Sequence, residues 1–124
     1  MIELREIRGS ELIPFYSWIK ELNYTDITAE TCLAKCLLDE YKSFIGLEDD
    51  RPAGIVIYKY VNPTFVFVVG LWGKNKVNIF RDMFFNRLKQ LGVKTVRAST
   101  TRPEKSYGRV MKMKRLWAVY ERVL

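Results

Sequence analysis

A loop rich in glycine and lysine is the segment of this sequence best suited to chemistry. The loop Gly73–Lys76 (Gly-Lys-Asn-Lys) follows the apolar run Phe65–Leu71 and precedes an amphipathic segment that begins at Val77. Where a helix begins, free backbone N–H groups and the positive end of the helix dipole favour an anion. The two lysines add positive charge at the same place. The loop is therefore suited to an anion.

The two cysteines, Cys32 and Cys36, are four residues apart in a segment with helical periodicity. That spacing puts both thiols on one helix face. A zinc site would need further ligands, and the chain has no histidine and no other cysteine. The pair is therefore predicted to act as two small apolar residues that face the core, with no metal bound.

Charge is divided unevenly along the chain. Residues 1–72 contain 7 Lys/Arg and 11 Asp/Glu, whereas residues 73–124 contain 14 Lys/Arg and 3 Asp/Glu, and the formal net charge is +7. A basic half of this kind attracts polyanions, such as nucleic acid, a phosphorylated cofactor or an acidic protein surface. The alternative is a lysine-rich face that serves only solubility.

Length and composition indicate one small domain that covers residues 1–124. The chain is 48% hydrophobic and 28% charged, which is an ordinary globular balance. Its longest apolar run, Phe65–Trp72, is much shorter than the roughly 20 residues that a membrane-spanning helix needs. The first residues lack the apolar core of a signal peptide. A soluble cytoplasmic protein with no membrane partner is expected.

Periodicity and turn signals predict an α/β fold (an α+β mixed sheet) with the order β-α-α-β-β-β-α-β-α-β. Strands are predicted at Ile2–Arg8, Lys42–Leu47, Ala53–Tyr60, Phe65–Leu71, Val93–Ser99 and Trp117–Leu124. Helices are predicted from Ser10 to about Leu22, after a cap at Asp26, from Val77 to Leu91 with Gly92 as its C-terminal stop, and from Pro103. Gly70 indicates a bulge or a close backbone approach near the end of the central strand.

That order resembles the GNAT superfamily of N-acetyltransferases over nearly the whole chain. In that family a bulged central strand leads into a loop and helix N-terminus that bind the pyrophosphate of acetyl-coenzyme A. The matching segment here is 69–78, although only Gly73 matches a glycine of the family's Arg/Gln-x-x-Gly-x-Gly/Ala pattern. The resemblance implies a GNAT-like acyl-CoA N-acyltransferase fold and acetyl-coenzyme A as the cofactor, bound by Val69, Leu71, Gly73, Lys74, Asn75, Lys76, Val77 and Asn78.

The resemblance also implies a tyrosine in the last helix that protonates the departing thiolate. The corresponding stretch is 102–116, where alignment of the helix ends puts Val110 or Met111 at the tyrosine position. Tyr107, about one turn earlier, is the candidate catalytic residue, and packing at the helix start is its alternative role. A general base must lie within hydrogen-bond reach of the amine. Candidates acting through water are Tyr58, Tyr60, Asp39 and Glu40.

The first functional hypothesis is an acetyl-CoA-dependent N-acetyltransferase that transfers acetyl by proximity to an amine of a small molecule or protein. Acidic residues of the N-terminal half would favour a cationic amine, namely Asp26, Glu30, Asp39 and Glu40. The second is an inactive GNAT-fold binding or structural protein. The loop 71–76 with the following Phe80 and Arg81 is also similar to degenerate GNAT-like proteins of tailed phages, which implies a virion or other macromolecular partner and a location inside a virion. Exposed strand edges would allow a homodimer.

A third hypothesis is polyanion or nucleic-acid binding through the basic half. No nucleic-acid motif accompanies these charges, so charge alone supports this hypothesis. The cations concerned are Lys74, Lys76, Arg81, Arg87, Lys89, Arg97, Arg102, Lys105, Arg109, Lys112, Lys114 and Arg115.

Overall fold

Seven strands form one mixed sheet in the computed structural model, which describes residues 1–22, 27–99, 114–116 and 119–124. Across the sheet the order is β1-β2-β3-β4-β5-β7-β6. The strands β4 and β5 run parallel, and every other neighbouring pair is antiparallel. The bounds are β1 Ile2–Ile7, β2 Lys42–Glu48, β3 Arg51–Asn62, β4 Phe65–Gly73, β5 Thr95–Ser99, β6 Lys114–Leu116 and β7 Val119–Val123.

The helical segments flank this sheet. A 3-10 helix, Gly9–Phe15, continues directly into a short α1, Tyr16–Ile19, and is followed along the chain by α2, Ala29–Leu37, and α3, Val77–Gln90. Pro14 lies inside the 3-10 helix. A proline has no N–H to donate, and in the interior of an α-helix its ring would clash with the preceding turn. Gly92 follows α3 with φ of 90°, a conformation that glycine adopts without strain, and its predicted role as the C-terminal stop is confirmed.

Two hydrophobic cores lie on opposite faces of the sheet. The core under α3 contains Phe44, Tyr58 and Phe84, and the core under α1 and α2 contains Leu12, Ile19 and both cysteines. Residues alternate between the two cores because successive side chains of a strand point to opposite faces. The sheet is therefore covered on both sides, as a three-layer α/β domain requires.

Phe80 fixes the start of α3 against the sheet. Its ring lies over the paired residues Gly46 and Gly54 of β2 and β3. A Cβ atom at Gly46 would lie 2.6 Å from the ring and one at Gly54 would lie 3.0 Å from it. Two adjacent glycines thus form the recess for one aromatic ring, and the recess sets the height of the helix above the strands.

Most of the predicted architecture is confirmed, with several corrections. The predicted first helix is mainly a 3-10 helix, and the cap of α2 is Thr28, whose hydroxyl accepts from the Thr31 N–H at 3.2 Å. Asp26 and the body of the predicted final helix lie outside the described residues. The stretch Lys114–Leu116, expected at the end of that helix, is a strand that pairs with β7. The last strand is shorter than predicted.

Candidate functional site

The two central strands separate halfway along β4. Pairs between β4 and β5 run from Phe65↔Thr95 to Val68↔Ala98. Beyond that point β4 continues for five residues, to Gly73, paired with β3 alone within the described residues. One edge of this open half of β4, Val69–Gly73, therefore has backbone groups with no strand partner, and such an edge can bind an extended ligand by main-chain hydrogen bonds.

A bulge lies where the strands separate. Ile57 pairs with Gly70, and the next residue of β3, Tyr58, pairs with Val68, so Val69 is the extra residue in β4. The bulge predicted near the end of this strand is therefore present. An unpaired residue interrupts the ladder and bends its strand, which explains why β4 leaves β5 at this level.

The bulge also changes which side chains face which core. Val68 lies in the core under α3, whereas Val69 packs against the core under α1 and α2. A Cβ atom at Gly70 would lie 2.7 Å from the Leu22 side chain, so Gly70 faces the same way. Leu71 returns to the α3 side and Trp72 to the α1 side. In a regular strand of the same sequence, with no bulge, Leu71 and Trp72 would each face the opposite core.

The loop after β4 presents backbone donors at the start of α3. The N–H groups of Val77 and Asn78 lie in the first turn, where a helix offers no acceptor, and the Lys76 side chain does not cap them. Lys74 donates its own N–H to the Ala53 carbonyl at 3.0 Å, which ties the loop to β3. A Cβ atom at Gly73 would lie 3.2 Å from the Val77 Cα, so glycine lets the strand end close to the helix start.

The two loop lysines differ in their surroundings. The Lys74 ammonium lies 5.5 Å from the centroid of the Trp18 ring, which itself stacks on Trp72 at 4.3 Å. The Lys76 ammonium is 2.6 Å from the Glu48 carboxylate of β2. Contact with an aromatic ring leaves a cation its full charge, whereas a carboxylate offsets it. Lys74 is therefore the stronger candidate for an anion at this loop.

Sequence reasoning named Arg81 only within a short resemblance and among the cations of the basic half, and it did not single out Trp18 and Trp72. The Arg81 side chain is 3% exposed on α3, and its guanidinium donates to Asn78 at 3.1 Å and to Asp82 at 2.9 Å. Helical spacing from the half-buried Val77 and the buried Phe84 brings Arg81 close to the core, although its charge is typical of a surface position. The contact between Trp18 and Trp72 joins residues far apart in sequence, and no local pattern indicates it.

Three of the four candidate bases are either paired with a lysine or buried. Asp39 pairs with Lys42 at 2.8 Å, and Glu40 pairs with Lys35 at 3.3 Å. Burial among aromatic rings raises the pKa of Tyr58, so its hydroxyl stays protonated and cannot accept a proton from an amine. The other catalytic candidate, Tyr107, lies outside the described residues.

Several cations of the basic half are engaged within the protein. Arg87 donates to the Leu4 carbonyl at 3.3 Å, Arg97 binds Glu121 at 2.7 Å, and Arg81 is buried. A phosphate backbone would have to compete with these contacts, so the described part of the chain offers a smaller basic surface than the sequence suggests. The residues 102, 105, 109 and 112 lie outside the described part.

The cysteines and the helices give two further findings. Cys32 and Cys36 are buried and unbridged, and a hydrogen bond with Cys32, together with burial, raises the pKa of Cys36. The prediction that both face the core is confirmed. Among the described residues, no group of three His, Cys, Asp or Glu side chains could hold a metal ion. In the same part of the chain, no helix has the length and hydrophobicity to cross a membrane.

Three features together define a class of protein. They are the bulge in β4, the separation of β4 from β5, and the loop and helix that follow β4. The chain has the GNAT acetyltransferase fold, and the resemblance seen in the sequence is confirmed at this level. A GNAT family acetyltransferase from Elizabethkingia anophelis with acetyl-CoA bound is similar at a TM-score of 0.75 and 10% identity, over 99% of this chain and 98% of that chain.

Two other solved structures are similar from end to end. The PaiA N-acetyltransferase from Thermoplasma acidophilum in complex with coenzyme A has a TM-score of 0.71 and 12% identity, over 100% of this chain and 99% of that chain. The aminoglycoside acetyltransferase AAC(6')-Ib in complex with coenzyme A and kanamycin has a TM-score of 0.71 and 10% identity, over 99% and 95%. No family model and no curated protein sequence matches the chain.

The residues of the loop fit the pyrophosphate of an acyl-coenzyme A. Free N–H groups at Val77 and Asn78, a close backbone approach at Gly73 and the ammonium of Lys74 are suitable partners for phosphate oxygens. The unpaired edge of Val69–Gly73 fits the amide groups of an extended pantetheine arm. Asn75 is exposed in the same loop, and Lys76 would reach a phosphate only by leaving Glu48.

Proposed function

We propose that the chain binds acetyl-coenzyme A along the open half of β4 and transfers the acetyl group to an amine. The observation that carries this proposal is the continuation of β4 for five residues past its last pair with β5, ending at a loop with free helix N–H groups. The coenzyme A bound in two similar structures supports the choice of cofactor, and the kanamycin bound in one supports an amine acceptor.

In this proposal the chain acts mainly by positioning. Bound acetyl-coenzyme A would supply a thioester whose acyl carbon a neutral amine attacks directly, with coenzyme A leaving as the thiol once it takes up the proton that the amine loses. The backbone of Val69–Gly73 orients the pantetheine arm, and the α3 N-terminus with Lys74 holds the phosphates. Leu22, packed over Gly70, excludes water from the α1 side of the bulge. Holding two reactants in line converts a bimolecular reaction into an effectively unimolecular one, which is a large part of many rate enhancements.

Calorimetric titration with acetyl-coenzyme A tests the proposal. Desulfo-coenzyme A should bind comparably, because it keeps the phosphates and the pantetheine arm, and free acetate should not bind. Lys74→Ala should weaken binding about three- to tenfold, as expected for loss of one charge-assisted contact near the surface. Lys94→Ala is the matched control, since this exposed lysine precedes β5 at the opposite end of the parallel pair. An unchanged affinity in Lys74→Ala removes the loop from the proposal.

A non-catalytic GNAT-fold module is the second candidate function. The observation that favours it is the set of base candidates, since Asp39 and Glu40 are paired with lysines and Tyr58 is buried. Within the described part of β4 no residue of the open half carries a carboxylate. Turnover of acetyl-coenzyme A with a panel of primary amines separates the two candidates. Cofactor binding without turnover of any amine would favour the module, and amine-dependent release of free thiol would favour the enzyme.

A further inference from the structure

A cavity lies beside the loop, on the side away from β5. Its volume is about 510 Å³, within the size range of small-molecule sites. The turn between β2 and β3 forms one wall, and Lys74 of the loop forms the other. The residues that line it are Glu48, Asp49, Arg51, Pro52, Ala53 and Lys74. The cavity therefore begins where the proposed pyrophosphate site ends.

Within the described part of the chain, the acidic side chains that line this cavity have oppositely charged partners, whereas the basic ones do not. The Glu48 carboxylate is held by Lys76 at 2.6 Å, and the Asp49 carboxylate by the amine of Met1. In contrast, within the described part of the chain neither the Arg51 guanidinium nor the Lys74 ammonium has a carboxylate partner. The two acids of the wall are thus offset by cations of their own, and two further cations remain for an anion.

We propose that this cavity is a phosphomonoester site, in which Arg51 binds the 3′-phosphate of the coenzyme A ribose. This inference rests on the proposed function, because it extends the cofactor site from the α3 N-terminus to the β2–β3 turn. In this assignment, Arg51 selects coenzyme A over analogues that lack the 3′-phosphate. Nothing in the sequence marks Arg51 for this role, since it lies among the polar residues of a turn.

The chemistry of the ligand favours this assignment. Coenzyme A carries its pyrophosphate and its ribose phosphate on the same nucleotide, so an anion at Lys74 places a second anion nearby. A phosphomonoester has close to two negative charges at neutral pH, and an arginine fork can bind two of its oxygens at once. Arg51 begins β3 directly opposite Glu48, on the rigid part of the hairpin rather than at its tip. A cation held there needs little ordering to bind its ligand.

Paired titrations with coenzyme A and 3′-dephospho-coenzyme A test the inference. The wild-type chain should bind coenzyme A about three- to tenfold more tightly than the dephospho form, the range expected for one exposed charge-assisted contact. Arg51→Ala should bind both forms equally, with the affinity that the wild type has for the dephospho form. Arg51→Lys should keep part of the preference, because it retains the charge and loses the fork.

Arg5→Ala serves as the matched control. Arg5 is an exposed arginine of β1 whose side chain pairs with Glu3. It lies three residues from Ile2, the residue of β1 that pairs with Glu48. It should keep the full preference, and the preference itself should shrink at high salt because the contact is exposed.

The outcomes distinguish this inference from the proposed function. If both ligands bind with equal affinity to the wild type, or if Arg51→Ala keeps the preference, the assignment of Arg51 is wrong while cofactor binding stands. If neither ligand binds, both proposals are wrong. Competition by inorganic phosphate against 3′-dephospho-coenzyme A adds a further check. If inorganic phosphate binds in the cavity, the affinity for 3′-dephospho-coenzyme A should stay unchanged. If inorganic phosphate competes at the loop, that affinity should fall.

Discussion

The two halves of β4 are both mainly apolar but lie in different surroundings. The first half, Phe65–Val68, has a paired strand on each side, and its Val66 and Val68 are buried in the core under α3. The open half, Val69–Gly73, has a paired strand on one side and several half-buried side chains. Both halves are mainly apolar, so hydrophobicity does not distinguish them. The difference comes from one extra residue at Val69, which ends the pairing with β5 and begins the candidate site.

The comparison separates the residues that hold the fold together from those proposed to bind the cofactor. Changes next to the first half should lower the free energy of unfolding and affect binding only through folding. Changes next to the open half should affect cofactor binding with smaller effects on stability.

Phe84→Ala should cause the largest loss of stability. The Phe84 ring is fully buried over the first half of β4, with its centroid 5.3 Å from that of Tyr58 and 6.1 Å from that of Phe44. Its removal leaves a cavity, and the expected loss is about 3–5 kcal/mol. Leu71→Ala in the open half should cost less, below about 2 kcal/mol, because Leu71 is only partly buried. Urea unfolding measures both, and equal losses would contradict the separation.

Gly54→Ala should have an intermediate effect that reaches the site. Gly54 pairs with Gly73 at the end of β4, and its added Cβ would lie 2.8 Å from the Trp72 carbonyl oxygen and 3.0 Å from the Phe80 ring. Relief of this overlap requires movement of the strand end or of the helix start, at a cost of about 1–3 kcal/mol. The same movement displaces the loop, so affinity for acetyl-coenzyme A should fall as well. Unchanged binding in a destabilised variant would show that the site does not depend on this packing.

Tyr58 of β3 pairs with Val68 in the first half of β4. Its burial should make the free energy of unfolding sensitive to alkali. Burial raises the pKa of its hydroxyl above the ordinary value of 10.0. Above that pH the unfolded chain loses this proton while the folded chain keeps it, so stability present at neutral pH is lost as the pH rises. The loss should be about 1.4 kcal/mol per pH unit for one proton.

Tyr58→Phe should remove this contribution to the slope, as measured by urea unfolding at several pH values above about 10. Cys36, whose pKa is also raised, contributes a slope of the same sign, so Cys36→Ser is the companion variant. Tyr60→Phe is the control, because this tyrosine is exposed. A slope that persists unchanged in Tyr58→Phe would contradict the predicted burial effect.

The sequence predicted the elements better than the site. Strands and helices follow from local periodicity, and the bulge near Gly70 and the stop at Gly92 follow from the properties of glycine. Gly9, at the start of the 3-10 helix, packs closely against the carbonyl of Cys36, a contact that local periodicity cannot indicate.

The charges of the site were harder to predict because they depend on partners distant in the chain. Sequence reasoning treated Lys74 and Lys76 as equivalent, whereas Glu48 of another strand binds one of them and Trp18 lies under the other. Arg51 could not be recognised, since its proposed role depends on the position of the loop across the cavity. These are tertiary contacts, and residue type gives no information about them.

Glu48→Gln should lower stability least of all these changes, and it should strengthen rather than weaken the binding of acetyl-coenzyme A. The ion pair between Glu48 and Lys76 is half exposed, and such pairs contribute about 0.2–1 kcal/mol, less at high salt. Its loss should therefore lower stability only slightly. The freed ammonium of Lys76 would be available to a phosphate at the α3 N-terminus, so affinity for acetyl-coenzyme A should rise a few-fold. Lys76→Ala should lower stability equally without this gain. If the affinity is unchanged in Glu48→Gln, the Lys76 ammonium does not reach the cofactor, and Lys74 alone supplies the charge of the loop.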